Sequence, residues 1–545
     1  MQNCQVALPA VPGGPAPEVH PQLRSLVAAA LNVPVDALAL CAVRRRSLDV
    51  RRRHNPQWVL KVDAFLVGEL PPDDTLPPLI RPHTLAKDMG HVRPIVVGMG
   101  PAGLFAALAF ADVGVRCTLI DRGEAVQPRN YKVRDLRGQG QLDPESNLCF
   151  GEGGAGTYSD GKLYTRSKHP WVRHVYERLV ALGADRDILV HAHPHIGTNY
   201  LIRMLSVLRA ALQDAGHDLR FGRRMDDLLV RPDGQLRRVV GVRLDDGSEL
   251  TGGPVILATG HSARDTYQML ARHGVAMQRK DFAIGARVEH PQAQIDTAQL
   301  GPLAGDEAVG AAEYFLQQTA PGGRGTYSFC MCPGGQVLPT PVRLGCLNVN
   351  GMSNSGRGSG FANAAWVAQL PAAEFYLHQP GDLDADPEFG AHVAGGALLG
   401  LALQNRLEQA CFAEGGGGYQ APAQRLTDFV AGKASADLPQ RYTYRPGLRP
   451  GRIDHILPKR LVSALQQGAK QADARQLRGW ITAGAIIQGV ETTTSSPVRV
   501  LRGADRQSVS HAGLYPCAEG AGYAGGIVSA AIDGLEAALA IVAAL

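Results

Sequence analysis

The sequence predicts an α/β protein: a Rossmann-type dinucleotide domain built on one βαβ unit, a long mixed α+β region after it, and a small α+β domain in front. Three observations predict it. Ile95 to Gly123 reads IVVGMGPAGLFAALAFADVGVRCTLIDRG, which is strand, glycine turn, helix, strand and acid in register. Val255-Ile256-Leu257, followed by Ala258-Thr259-Gly260, is a second short apolar run ending in a tight turn. GLYPCAEGAGYAGGIVSAAIDG, residues 513–534, again couples a short strand to glycines and a helix.

In the first unit Ile95, Val96 and Val97 form a buried parallel strand. Gly98, Gly100 and Gly103 then make the G-x-G-x-x-G turn. Gly98 permits the turn, Gly100 admits a pyrophosphate to the backbone, and Gly103 lets the helix pack close to the strand. The helix from Leu104 to Val113 is apolar on nearly all faces, and its N-terminal N–H groups face the phosphate. Cys117 to Ile120 is the second strand, ending on Asp121, 23 residues past Gly98. An acid there is placed for ribose hydroxyls and repels a 2′-phosphate, which disfavours NADP.

Residues 1–88 read as the small N-terminal domain. Gln5–Leu8 is a strand, Gln22–Leu31 a helix, and Leu38–Val50 and Trp58–Val67 paired strands. This domain carries Arg44-Arg45-Arg46 and Arg51-Arg52-Arg53 beside His54, so RNA or another polyanion is one ligand class; a solvated strand face is the plainer reading. Pro71 to Pro82 is a stiff proline-rich linker.

Residues 89–281 form the first part of the dinucleotide domain. Within it NLCFGEGGAGTYSDGKL, 147–163, has glycines at 151, 153, 154 and 156 beside Thr157, Ser159 and Asp160, a loop whose backbone can lie against a ligand. Asn199–Ala215 is an amphipathic helix, and Leu219–Arg243 alternates like strands around a turn at Asp233-Gly234. Residues 282–481 are the candidate substrate domain, with a surface loop over Asp382–Gly390 and a long helix over Ala391–Cys411. Glu414 to Gly418, EGGGG, lacks the strand-to-helix context and Lys-Ser/Thr ending of a phosphate loop and reads as a flexible turn. Residues 482–545 return to the dinucleotide domain. Gly489 to Pro497 is a polar run ahead of Val498–Leu501, a short strand reaches Glu519, and a helix begins near Ile527. Glu519 is placed for ribityl hydroxyls, and that helix N-terminus for a flavin edge that becomes anionic on reduction.

With 545 residues, 45% hydrophobic and 19% charged, the chain has the composition of a globular protein, and a net charge of +5 implies no nucleic-acid partner by itself. The nine cysteines are scattered without metal-ligand spacing, which suits a reducing compartment; no zinc site is expected. MQNCQVALPAVPGG is not a secretory signal, and the apolar C-terminus, broken by Asp533 and Glu536, reads as a docked helix rather than a membrane span. A cytoplasmic location is the expectation.

Taken together, the glycine turn, FGEGGAGTYSDGKL at 150–163, FAIGARVEHP at 282–291, YSFCMCPGG at 327–335, GVETTTSSPVR at 489–499 and the 513–534 segment resemble the bacterial and plastid family of uncharacterised FAD-dependent dehydrogenases. The resemblance implies a glutathione-reductase-like flavoprotein fold, with an FAD domain assembled from distant segments and interrupted by a substrate domain, noncovalent FAD and oxidoreduction; it supplies no substrate. Carried onto this chain, the FAD contacts are Gly98, Gly100, Pro101, Ala102, Gly103, Asp121, Arg122, Gly153, Gly154, Ala155, Gly156, Thr157, Asp160, Ala258, Thr259, Gly260, Glu519, Gly520, Gly525, Gly526 and Ile527. The chain departs from such flavoproteins at Asp121, where glutamate is commoner, and at Ala518, where glycine is frequent. Only one G-x-G-x-x-G stands in context, so NAD(P)H either docks transiently or the substrate reduces FAD directly. Candidates for substrate or proton contact are Glu491, Ser495, Arg499 and His261, with Cys330 and Cys332 as two core thiols or a redox pair. A flavin monooxygenase, an RNA-modifying flavoprotein and a scaffold with inert FAD are the competing readings.

Overall fold

A computed structural model describes residues 1–51, 55–71, 75–81, 92–165, 167–234, 236–377 and 383–545. Arg52, Arg53, His54, residues 72–74 and 82 of the proline-rich linker, and Asp382 lie outside the described residues. The N-terminal unit is an antiparallel sheet in which Gln57–Leu66 lies between Gln2–Pro9 and Leu38–Asp49, with helix Leu23–Leu31 across it. Its basic stretch is docked at Arg46, while Arg45 and Arg51 face solvent. The Arg46 amide donates to the Val190 carbonyl (2.8 Å), and its guanidinium pairs with Glu18 and Asp187, both at 2.6 Å. Arg44 pairs with Asp63 and Arg51 with Asp49.

A five-stranded parallel sheet follows, ordered 514–516, 255–257, 95–97, 118–120, 218–220. Three segments separated by well over a hundred residues thus build one sheet, each contributing a three-residue strand buried on both faces, as parallel strands under helices are. The glycine-turn helix runs Pro101–Asp112, starting three residues earlier than its apolar pattern suggests, because Pro101 takes the first-turn position where no N–H is needed. The C-terminal helix Ile527–Ala544 packs on it. This helix is long and apolar enough to cross a membrane, yet Val528, Ala531, Leu535, Ala538 and Ile541 are buried against the protein.

The inserted region is a seven-stranded sheet, ordered 317–319, 325–332, 361–370, 282–291, 486–491, 421–425, 448–450. Its central strand, Phe282–Pro291, is buried at all but its last residue. Two sequence expectations change here. Gly489, Val490 and Glu491 are not loop but the end of the buried strand Ile486–Glu491, so this sheet continues beyond residue 481; the threonines that follow disguise the boundary. The long helix begins at Leu399 rather than Ala391, because Gly395 and Gly396 adopt φ of +61° and +79° and break the first turns.

Candidate functional site

The glycine turn leaves strand Ile95–Val97 at the middle of the parallel sheet, where ligands of open α/β sheets sit. Any Cβ on Gly98 would overlap the Ala258 carbonyl, and one on Gly103 the Gly98 carbonyl. Gly100 differs: its nearest neighbour is the Gly154 Cα, 3.9 Å from where a Cβ would stand. Asp121 is buried, and its carboxylate accepts the amides of Met99 (2.7 Å), Gly123 (2.9 Å) and Gly151 (2.9 Å). At the end of its strand this acid ties two glycine segments together. Arg122 pairs with Asp265 and lies over the Phe150 ring at 4.6 Å.

The second glycine segment is organised by Arg129, which sequence reading missed. This buried guanidinium donates to the carbonyls of Asn147 (2.7 Å), Glu152 (2.6 Å) and Gly154 (2.8 Å) and lies over Tyr158. A basic residue inside a helix gave no signal that it points inward. The loop's other ties are the Gly153 amide on the Met99 carbonyl (2.8 Å) and the Thr157 hydroxyl on the Glu152 carbonyl (2.9 Å). Gly156 then fills the gap between the two helix starts: a Cβ there would meet Ile527 at 3.5 Å and Pro101 at 3.6 Å. Ala155 is exposed.

At the third segment, Ala518 has φ +58°, a backbone conformation that glycine adopts with least strain. A Cβ on Gly520 would crowd the Gly260 carbonyl at 2.6 Å, while Gly260, Gly525 and Gly526 face nothing within 4 Å. Tyr267 secures the turn by donating to the Gly520 carbonyl (2.6 Å). Helix N-termini at Pro101 and Ile527, bridged by Gly156 and bordered by side-chain-free positions, form a cradle that a diphosphate-bearing dinucleotide fits. FAD, the group this cradle implies, fits the residues present.

The candidate chemical groups fall into two sets. His261 Nε2 donates to the Thr493 carbonyl (3.0 Å) while its Nδ1 stands 3.5 Å from Glu519. Burial raises the Glu519 pKa, opposed by His261 and Lys280. Lys280, also missed, sits with Arg499 beside Gly522, and burial plus the Arg499 charge lowers its pKa. Ser495 is half-buried, one residue before the Ser496 carbonyl that accepts from Lys280 Nζ (3.4 Å). Asp160 is buried, with neither carboxylate oxygen hydrogen-bonded among the described residues, 3.9 Å from Lys162 Nζ, and burial raises its pKa.

Glu491, Cys330 and Cys332 belong to a different place. Glu491 is locked to Arg287 (2.9 Å) on the adjacent strand, both almost solvent-free. Arg287 is saturated by Asn363, Asn350 and the Cys330 carbonyl as well. Glu491 is thus an internal counter-ion, which corrects its assignment to substrate or proton contact. A bulge puts Cys330 at φ +48° and turns the two cysteines out of simple strand alternation. Both are free thiols whose pKa is raised by burial, Cys332 to about 12, so neither is a ready thiolate nucleophile.

The fold and cradle define a mixed α/β, FAD-dependent flavoprotein, and residues 281–494 match the model of the "FAD-dependent protein, C-terminal domain-like" family. The chain belongs to the same family as an uncharacterized protein of Clostridium beijerinckii, with which it is 36% identical over 519 residues, 93% of each chain. Among solved structures it is similar to CtdE in complex with FAD (10% identity, 83% of this chain and 84% of that one, TM-score 0.30). It is also similar to the open conformation of a flavocytochrome c3 fumarate reductase (12%, 83% and 77%, TM-score 0.31). Likeness at that level is too distant to refine the assignment.

Proposed function

We propose that the chain binds FAD noncovalently and acts as an oxidoreductase, moving a hydride between a small-molecule substrate and that flavin. The observation that carries this reading is the meeting of two helix N-termini, at Pro101 and Ile527, across Gly156, with Gly100, Gly260, Gly525 and Gly526 open beside them. When bound, FAD supplies the hydride-accepting and hydride-donating chemistry. The protein supplies the rest. Gly100 lets a diphosphate reach the backbone, and the two helix N-termini place N–H groups and positive dipole ends against negative charge. Glu519, steadied by His261, accepts hydroxyl donors. Asp160, buried beside the Lys162 ammonium and with its pKa raised by burial, can hold a proton. Lys280 and Arg499 put positive charge beside Glu519, which favours a substrate carrying an anionic group.

The test is direct. The purified protein is expected to be yellow, with about one FAD per chain that acid precipitation releases. Gly100→Glu should abolish flavin binding by filling the diphosphate space with a like charge, while leaving the fold largely intact. Adding NADH, NADPH and reduced organic substrates in turn under anaerobic conditions, and following flavin bleaching, identifies the electron donor. A colourless protein that takes up no added FAD, or wild-type flavin content in Gly100→Glu, overturns the reading.

A further inference from the structure

Away from the glycine cradle, two cavities of about 430 and 400 Å³ adjoin each other through Arg445. The first is walled by Gln336, Phe361, Arg441, Tyr442 and Thr443. The second is walled by backbone: Gly138 and Gly140 at the end of helix Val126–Gln139, and Gly416, Gly417 and Gly418 opposite them. These last three are the EGGGG stretch, and φ values of +82°, +84° and +60° explain why glycine occupies each place.

Four arginines border this groove. Arg445 lies in both cavities. Arg441 sits over the Phe361 ring at 5.9 Å. The Arg449 guanidinium stands against Gly416. Arg137 donates to Gln336 (2.6 Å), a wall residue, and its Nε is buried without an acceptor. Burial and the nearby Arg445 charge lower the Arg137 pKa. Elsewhere in this region arginines have carboxylates, Arg425 with Asp437 and Arg452 with Asp454, but among the described residues no carboxylate pairs with these four. Beneath the floor, Glu289 is hydrogen-bonded to Thr443, and burial pushes its pKa up to about 7, so it brings no full negative charge. Two positive charges lining one open groove, Arg441 and Arg445, with Arg449 and Arg137 against its wall residues and no carboxylate paired with any of the four among the described residues, favour an anion there. Guanidinium forks suit phosphate oxygens, a glycine wall lets a diphosphate lie against the backbone, and the exposed Tyr442 offers a face to a planar ring.

We propose that this groove is a second ligand site, for a small molecule carrying a diphosphate and a ring, of the nucleoside diphosphate kind. Its residues are separate from the FAD cradle, so the proposal stands independently of the flavin reading. The experiment is isothermal titration calorimetry of the flavin-loaded full chain with ADP, with pyrophosphate and with adenosine, alongside Arg445→Glu, Arg441→Glu and Gly100→Glu. Expected are saturable binding of one ADP, weaker binding of pyrophosphate, none of adenosine at the same concentrations, and at least tenfold weaker ADP binding in both arginine variants with flavin content unchanged. Gly100→Glu should bind ADP as the wild type does, whether or not it holds flavin. Absence of saturable ADP binding, ADP affinity unaltered in both arginine variants, or ADP binding lost in Gly100→Glu overturns the second site; pyrophosphate binding as tight as ADP overturns the ring subsite.

Discussion

Glu491 and Arg287 share a position with almost no solvent, and that decides what each can do. Removing one partner leaves the other charged and buried, which costs about 3–5 kcal/mol. Glu491→Gln is therefore expected to lower unfolding stability by an amount in that range in urea denaturation, with flavin content following the loss of fold. Unchanged stability with abolished turnover would return Glu491 to the chemistry. Nothing in GVETTTSSPVR marks the first acid as internal, since its partner lies 204 residues away on a neighbouring strand. The same holds for Asp121, legible as an acid at a strand end but not as the acceptor of three backbone amides. The glycines, in contrast, were legible one by one, because each requirement is local: a turn, a close approach or an open face.

Among the elements, the crossing of helices Pro101–Asp112 and Ile527–Ala544 positions the cradle. They touch at Gly534, where a Cβ would overlap the Ala102 carbonyl. Gly534→Ala gains up to about 1 kcal/mol of helix propensity in isolation. Here it must push the helices apart, so a net loss of about 1–3 kcal/mol is expected, from overpacking against backbone that cannot rotate away. The N-terminus at Ile527 would move with it, so the flavin should also dissociate faster in dilution experiments; a variant more stable than the wild type with unchanged flavin retention would show that this crossing does not position the cradle. Short apolar runs such as Val255–Leu257 were readable as buried strands, but their neighbours in the sheet were not, because a three-residue strand buried on both faces carries no mark of its partner.

At the scale of the whole molecule, stability depends on pH through groups the fold has buried. Glu289 is 1% exposed, and its pKa is raised from 4.5 to about 7, so the folded state keeps a proton that the unfolded chain releases. Its contribution is fully present below about pH 4.5 and is lost as pH rises to 7, a swing of about 3 kcal/mol. His217 and His290, lowered to about 4 by burial, act in the opposite sense: their contribution is present above pH 6.5 and lost as pH falls toward 4. Comparing wild type with Glu289→Gln cancels the histidines. The stability difference should shift in favour of the variant between pH 4.5 and 7 and stay flat above, as read by denaturant midpoints across that range; a pH-independent difference would mean Glu289 is ionised in the fold.

The sequence by itself determined the βαβ unit, the identity of its glycines, the order of the segments and the resemblance to FAD-dependent proteins. Those follow from short-range rules, in which a residue's neighbours along the chain set its backbone angles and its face. Tertiary structure alone decided that Arg129 turns inward to hold the 147–154 carbonyls, that Glu491 is spent on Arg287, that Gly156 joins two distant helix starts, and that four arginines with a glycine run border one groove. The physical reason is that a charge is settled by its partner and its access to water, and in this chain both are set by segments brought together across one to several hundred residues.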